Sequence, residues 1–256
     1  MKVVAIQGSP HKGNTYERVE NFAQALSEHG EIEFDHIALK DSDLKPCQGC
    51  FLCFTRGERA CPLNDDIKSI RIKLDESDAV IFATPVYSMQ ISYLLKIFVD
   101  RMAYTFHRPR YFGKYAVGLA VTGAVGLKET LDYISMFSEA WGFEYLGGLR
   151  YVDPPGGTGI PRFAGKKDRC RELAGELYMR MKTKPQRKLK LKDHMAFHIM
   201  RTVYGRMEKY SPTDYAYWKS RGWLEPGARY FFENAGTGFF RGLYARIVAR
   251  LMARKM

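Results

Sequence analysis

The chain has 256 residues, 46% of them hydrophobic, which is room for one domain with a sizeable core plus an appendage and excludes a disordered polymer. Its formal charge of +12 is uneven: residues 185–256 hold fifteen Lys and Arg against five Asp and Glu, so the basicity belongs to the tail. The longest uncharged run, Ala79 to Leu95, contains Pro85, Ser88, Gln90 and Ser92 and is too short and too polar to span a bilayer. Met1 leads directly into a strand pattern without a charged-then-apolar leader, and the sequence reads as cytoplasmic.

The first strand is the apolar run Val3-Val4-Ala5-Ile6, suited to a central parallel strand covered on both faces. It breaks into Gly8-Ser9-Pro10-His11-Lys12-Gly13-Asn14-Thr15, after which Val19, Phe22, Ala23 and Leu26 mark one face of a helix ended by Gly30. Asn14 is the expected N-cap. A strand, a short loop and a helix start aim backbone N–H groups and the positive end of the helix dipole at one spot, which suits a phosphate. The spacing Gly8-x4-Gly13 matches the start of a nucleotide-triphosphatase loop, but Asn14 stands where such a loop needs Lys. The G-x-G-x-x-G dinucleotide pattern is missing too, so a single terminal phosphate, as in FMN, fits best. The alternative is an ordinary strand-to-helix turn.

Glu31–Leu39 reads as a second strand. Asn64, Asp65 and Asp66 open a helix with an Ile67, Ile70, Leu74 stripe. Ala79–Ala83 is the next buried strand. It is followed by a loop, Thr84-Pro85-Val86-Tyr87-Ser88, at the strand's carboxyl end, where open α/β sheets bind ligands. A helix with Ile91, Leu94, Leu95, Phe98 and Met102 comes next. Tyr115–Thr122 is a fourth strand, running into the small-residue loop Gly123-Ala124-Val125-Gly126. Leu127, Leu131, Ile134, Phe137 and Trp141 mark a helix stopped by Gly142. Phe143–Val152 is a fifth strand weakened by Gly147-Gly148, and Leu173–Met181 a last core helix, with Cys170 read as a buried structural thiol. Strands alternating with helices argue for an α/β, doubly wound, five-stranded parallel sheet over residues 1–184.

Residues 185–256 form a basic, aromatic-rich and mostly helical extension. Asp153–Gly159 is a loop and Lys182–Lys192 a basic linker. His194–Tyr210 looks helical with an Ala196, Ile199, Met200, Val203, Met207 stripe, and Phe239–Met256 reads as an amphipathic basic helix. One reading of this tail is contact with an anionic surface, lipid or nucleic acid, beside a redox-sensing domain; the other is a solvated face. His107, Arg108 and Arg110 follow a core helix and are either substrate-facing or surface charges.

Four of the five cysteines lie in Cys47-x2-Cys50-x2-Cys53-x7-Cys61-Pro62. Two successive x2 spacings let three thiolates converge, and the fourth closes a set followed by Pro, as in ferredoxin-type loops. That pattern suits [4Fe–4S] better than zinc, whose structural sites pair separated knuckles, and unfilled thiols that merely pack the loop stay open as a third reading.

Gly8-Ser9-Pro10…Gly13-Asn14-Thr15, the cysteine run leading into Asp65-Asp66, the Thr84–Tyr87 loop and the Lys96…Asp100-Arg101 helix together resemble the flavodoxin-fold NAD(P)H-dependent FMN reductase family. More narrowly they resemble the iron–sulfur flavoproteins of anaerobes. The resemblance covers about residues 1–180 and implies a flavodoxin-like fold. It implies that Ser9, Lys12, Asn14 and Thr15 hold the FMN phosphate, that Pro85, Val86, Tyr87 and Ser88 line the isoalloxazine, and that Thr122, Gly123 and Ala124 flank its other side. By the same resemblance Cys47, Cys50, Cys53 and Cys61 bind [4Fe–4S], often at a dimer interface, so a homo-oligomer is expected. Electrons would come from NAD(P)H or a ferredoxin-like protein and pass to a small-molecule or protein acceptor. No residue is singled out as catalytic, because the flavin carries the chemistry. With unfilled thiols the same fold would serve as a reductase of quinones or other small acceptors.

Overall fold

The computed structural model describes residues 1–153, 169–187 and 189–232. Within them the chain separates into two compact units, one of Met1–Gln48 and Leu63–Lys184, the other of Gly49–Pro62 and the described residues from Pro185 onward. Cys50, Cys53 and Cys61 thus belong to the second unit, while Cys47 stays in the first.

The first unit is a doubly wound α/β sheet. Its strands β1 (Lys2–Gln7), β2 (Glu33–Ala38), β3 (Ala79–Tyr87), β5 (Tyr115–Thr122) and β6 (Glu144–Val152) are parallel in the order β2-β1-β3-β5-β6. A two-residue strand, β4 (Gln90–Ile91), folds back antiparallel on β3. The five expected strands are present. Thr84–Ser88 is a correction: residues 84–87 continue β3, and Val86 and Tyr87 pair with Ile91 and Gln90 across a two-residue turn. A β-branched and an aromatic residue favour extension there, which outweighs the preceding Pro85.

Alternation on β3 divides the core. Ile81 faces the cluster of Val3, Val19, Phe22, Leu26, Val117 and Leu177, under α1 (Asn14–Ser27) and the later helix Arg169–Thr183. Phe82 faces the other layer, with Phe137 and Trp141 of the helix Leu127–Trp141 at ring separations of 4.9 and 6.0 Å. The Gly147-Gly148 pair has a packing reason. A Cβ on Gly148 would stand 2.7 Å from Leu131 and 2.9 Å from the Tyr145 hydroxyl, so the strand gives up propensity for fit. Cys170 is half-buried against this core rather than fully buried.

In chain order the helices are α1, α2 (Leu52–Thr55), α3 (Ile67–Glu76), α4 (Tyr93–Arg101), α5 (Leu127–Trp141), α6 (Arg169–Thr183), α7 (Leu191–Tyr204) and α8 (Pro212–Ser220). The N-cap of α1 is Gly13, with Asn14 its first helical residue.

The second unit has an aromatic core. Phe197 of α7 meets Phe231 at 4.9 Å, Tyr204 stacks on Trp218 of α8 at 5.0 Å, and Trp223 meets Phe231 at 4.7 Å. The Trp223 indole donates to the Phe231 carbonyl at 3.1 Å, satisfying its polar end. The expected α7 stripe is corrected: the buried residues are His194, Phe197, His198 and Tyr204, while Ala196 is exposed. Aromatic partners select the face through Phe197 and Tyr204, and α7 ends at Tyr204, six residues before the expected end. The expected helix at 239–256 and residues 154–159 of the expected loop lie outside the described residues.

Candidate functional site

Strands β1, β3 and β5 are parallel neighbours, so the segments after them open on one edge of the sheet. At the first, Gly8 lets the chain pass close to α4. A Cβ there would stand 2.5 Å from Ser92 Oγ and 2.7 Å from Leu95 Cβ. The Ser92 hydroxyl instead donates to the Gly8 carbonyl, and Gly8 N–H donates to Ala83 O at 2.8 Å. Ser9 is buried and donates to His11 O at 2.8 Å, bending the loop toward α1. The first bond within α1 runs from Glu17 N to Gly13 O, so the N–H groups of Asn14, Thr15 and Tyr16 have no acceptor inside the helix. Among the described residues no side chain caps them. Lys12 places its ammonium 5.2 Å from the centre of the Tyr16 ring, which stacks on His36 at 4.6 Å. His36 is held between Gln7 and Glu20 at 2.6 Å each, so a cation is fixed beside a ring of unfilled donors.

At the second and third openings two loops touch. Ser88 and Met89 turn β3 into β4 with φ of 50° and 65°, left-handed conformations that Asn-Gly adopts more easily. Thr84 Oγ1 accepts from Ser92 N at 3.0 Å and donates to Pro85 O at 2.8 Å, bracing the turn from within. Gly126, at φ +93°, meets it: a Cβ there would lie 2.7 Å from Val86 Cγ1 and 3.0 Å from Met89 Cα. Thr122 Oγ1 donates to Val125 O at 2.6 Å and accepts from Ala124 N at 3.2 Å, so this hydroxyl and amide close their own turn. Tyr87, Met89 and Val125 stand 42%, 46% and 65% exposed, three large apolar side chains on the paired loops. Surfaces of that kind bind flat apolar groups.

Residues that the sequence reading did not single out hold this edge in place. Asp153 N donates to Thr122 O at 2.8 Å, and its carboxylate takes a two-pronged bond from Arg18 at 3.1 and 2.9 Å. The Arg18 guanidinium also lies 4.7 Å over the Tyr151 ring, and the bond to Asp153 raises its already high pKa. Arg18 sits four residues after Asn14 on α1, so one side chain ties the start of the first opening to the exit of β6. Its only sequence signal is a charge amid a polar helix face. Arg108 is buried under the Tyr104 ring and Arg110 bonds Asp75 at 3.2 Å, which makes both structural cations.

The cysteine segment departs from and returns to the first unit through two stems. Asp43 N donates to Asp66 Oδ2 at 2.8 Å, Asp66 N to Asp43 O at 2.9 Å, and Lys45 N to Asp65 Oδ2 at 3.0 Å. Arg101, at the end of α4, closes the arrangement by bonding both Asp65 oxygens and the Lys45 carbonyl, and both charged side chains are buried. Burial alone would raise the Asp65 carboxyl, but Arg101 and the Lys45 amide outweigh it and hold it below its ordinary value.

Of the thiols, Cys47 and Cys50 are exposed and Cys53 and Cys61 half-buried, and no disulfide joins them. Among the described residues no group of three or more His, Cys, Asp or Glu side chains is arranged to hold a metal ion. The donor chemistry, four soft thiols at short spacing, still fits an iron–sulfur group. The openings likewise fit a phosphorylated flat ring, with unfilled N–H donors at one end and apolar side chains at the other.

Comparison with known proteins gives four findings. The family model described as NADPH-dependent FMN reductase matches residues 1–148. An iron–sulfur flavoprotein of Archaeoglobus fulgidus is 31% identical over 229 residues, covering 88% of this chain and all of that protein. One of Methanocaldococcus jannaschii is 35% identical over 170 residues, covering 64% of this chain and 86% of the relative. Among solved structures, RosB with bound 8-demethyl-8-formylriboflavin-5'-phosphate shares the fold, at a TM-score of 0.57 and 14% identity over 72% of this chain and 79% of that one. No described helix is long and apolar enough to cross a membrane.

Proposed function

The chain belongs to the NADPH-dependent FMN reductase family and is a flavin-dependent oxidoreductase; from that premise we propose that it relays electrons between a reduced donor and an acceptor through FMN and a [4Fe–4S] cluster. The observation that carries the flavin half is the pairing of uncapped N–H groups at the start of α1 with the touching loops after β3 and β5. When bound, FMN supplies the exchange between hydride and single electrons, and the cluster supplies one-electron transfer. Asn14, Thr15 and the neighbouring amides hold the phosphate, with Ser9 shaping the loop and Lys12 neutralising charge. Pro85, Val86, Tyr87 and Ser88 form one side of the ring site, Thr122, Gly123 and Ala124 the other. Tyr87, Met89 and Val125 exclude water from the ring. In this reading the flavin carries the chemistry and no side chain of this edge is assigned a catalytic role.

Cys47, Cys50, Cys53 and Cys61 are the cluster ligands in this reading, supported by their spacing and by the names of the two relatives. A second reading, a flavin reductase of small acceptors driven by NAD(P)H without a cluster, draws on the description of the matching family, NADPH-dependent FMN reductase.

The deciding experiment is an absorption spectrum with iron and sulfide analysis on protein purified without oxygen. Flavin bands, a shoulder bleached by dithionite and about four irons per chain support the relay. Flavin without iron after attempted reconstitution moves the function to the second reading. Failure to bind flavin at all overturns both.

A further inference from the structure

The cysteine segment carries an unusual density of demanding backbone. Gly49 and Gly57 have φ of 65° and 91°, and Phe51, a residue with a side chain, has φ 58° at the start of α2, where Cys53 sits. The Phe51 side chain is 66% exposed and so gains little from burial there. A four-residue helix entered through a left-handed Phe does not hold itself together, because left-handed backbone is unfavourable for L-residues and so short a helix has barely paid its nucleation cost. Such conformations persist when the surroundings over-determine them.

The surroundings come from the extension. Ser211, the N-cap of α8, does not cap its helix with its side chain. Its hydroxyl faces two acceptors instead: the Phe54 carbonyl in α2 at 3.2 Å, and the carboxylate of Asp214, a fully buried residue, at 2.7 Å. Two residues on, the Thr213 methyl lies 3.7 Å from where a Cβ of Gly57 would stand, filling the space beside the second left-handed glycine. Behind them Trp218 anchors α8 in the aromatic core.

We propose that the extension is the scaffold of the cysteine segment, with Ser211 as its positioning residue: the single Ser211 hydroxyl proton is shared in a three-centre bond between the Asp214 carboxylate and the Phe54 carbonyl, and this bond ties α2 to the start of α8 and holds the turn that presents Cys53 and leads to Cys61. The clamp acts on the thiols of the metal-free chain, and its bearing on metal retention rests on the cluster reading above. A held segment presents its sulfurs in one arrangement before metal arrives, while a released one must be ordered by the metal itself.

The test is alkylation of the reduced, metal-free full-length protein by iodoacetamide, followed residue by residue by mass spectrometry. In Ser211→Ala, Cys53 and Cys61 are expected to react about five- to tenfold faster, the scale of one lost hydrogen bond, while Cys170 keeps its wild-type rate. Ser211→Thr, which retains the hydroxyl, should restore most of the protection. Unchanged rates at Cys53 and Cys61 in Ser211→Ala, or an equal rise at Cys170, would overturn the clamp. A second readout is release of iron to a chelator from reconstituted protein, expected to be faster in Ser211→Ala. Wild-type protein that takes up no iron would sink the cluster reading and leave the alkylation rates to decide the clamp.

Discussion

The turn at Ser88–Met89 and the turn at Phe51 place residues with side chains in left-handed backbone, and the two units hold them by different means. Ser88 and Met89 sit at the tip of a hairpin whose arms are strands, so the antiparallel pairing of Val86 with Ile91 and of Tyr87 with Gln90 fixes the register. Among the described residues Phe51 has no strand beside it, and the turn it enters is reached through Phe54 and Gly57 by side chains of Ser211 and Thr213, more than 150 residues later. Backbone pairing makes the first site robust to substitution around it, whereas the second stands or falls with a few contacts.

Four measurements bear on that contrast. The largest effect is expected at the stems, where Arg101→Met leaves the buried Asp65 carboxylate without its partner and should cost about 3–5 kcal/mol in denaturant unfolding. The Asp65 pKa is lowered on folding, so the stabilisation it reports is complete above its unfolded value of 3.8 and is lost as pH falls through the lower folded one. The gap between wild type and Arg101→Met should therefore narrow below about pH 4. A loss under 1 kcal/mol would show that the stems are held without the ion pair.

Next is Gly126→Ala, which puts a Cβ into left-handed backbone and against Val86 and Met89. About 1–2 kcal/mol of stability should go, from the backbone alone, together with FMN affinity measured by fluorescence quenching, since the two loops are pushed apart. Unchanged affinity would mean that their contact does not shape the ring site. The double replacement Ser88→Asn with Met89→Gly should do the reverse to stability, raising it by about 1–2 kcal/mol through relief of the turn, while weakening FMN binding through loss of the Met89 side chain. If stability and affinity rose together, the strain would have no link to the site.

The smallest effect separates the units by acid. Burial pushes the His194 pKa below its ordinary 6.5, against the pull of its hydrogen bond to the Arg229 backbone. The second unit's stability is then full above pH 6.5 and declines as pH drops toward the lowered folded value, where the buried ring must take up a proton. Tryptophan fluorescence from Trp218 and Trp223 should change between pH 7 and 5, before the Asp65 contribution is touched, and His194→Phe should flatten the response. A flat wild-type signal over that range would remove the distinction.

How legible each region was follows from what holds it. Strands covered on both faces must be apolar throughout, so Val3–Ile6, Ala79–Ala83 and Tyr115–Thr122 declare themselves, and the loops after them mark the ligand edge by topology alone. Their bracing was hidden. Arg18 with Asp153, and Arg101 with Asp65, join residues 135 and 36 positions apart, and a charge on a helix face looks the same whether or not a carboxylate meets it. In the second unit aliphatic periodicity pointed to Ala196 and Met200 on α7, yet the buried face follows Phe197 and Tyr204, because ring stacking selected it. That Cys50, Cys53 and Cys61 belong with the extension had no local signature at all.

The bond from Ser211 to Phe54 spans 157 residues, and that separation sets a schedule for synthesis. At about 5–20 residues per second a ribosome delivers α8 some 8–30 s after the cysteine segment. For that interval the sheet unit can already be assembling around β1 and β3, while three of the clustered thiols emerge on a stretch of chain whose partner has not been made. A nascent chain therefore passes through a stage at which its sulfurs are open to scavenging metals and oxidants, and completion of the carboxyl-terminal helices ends it.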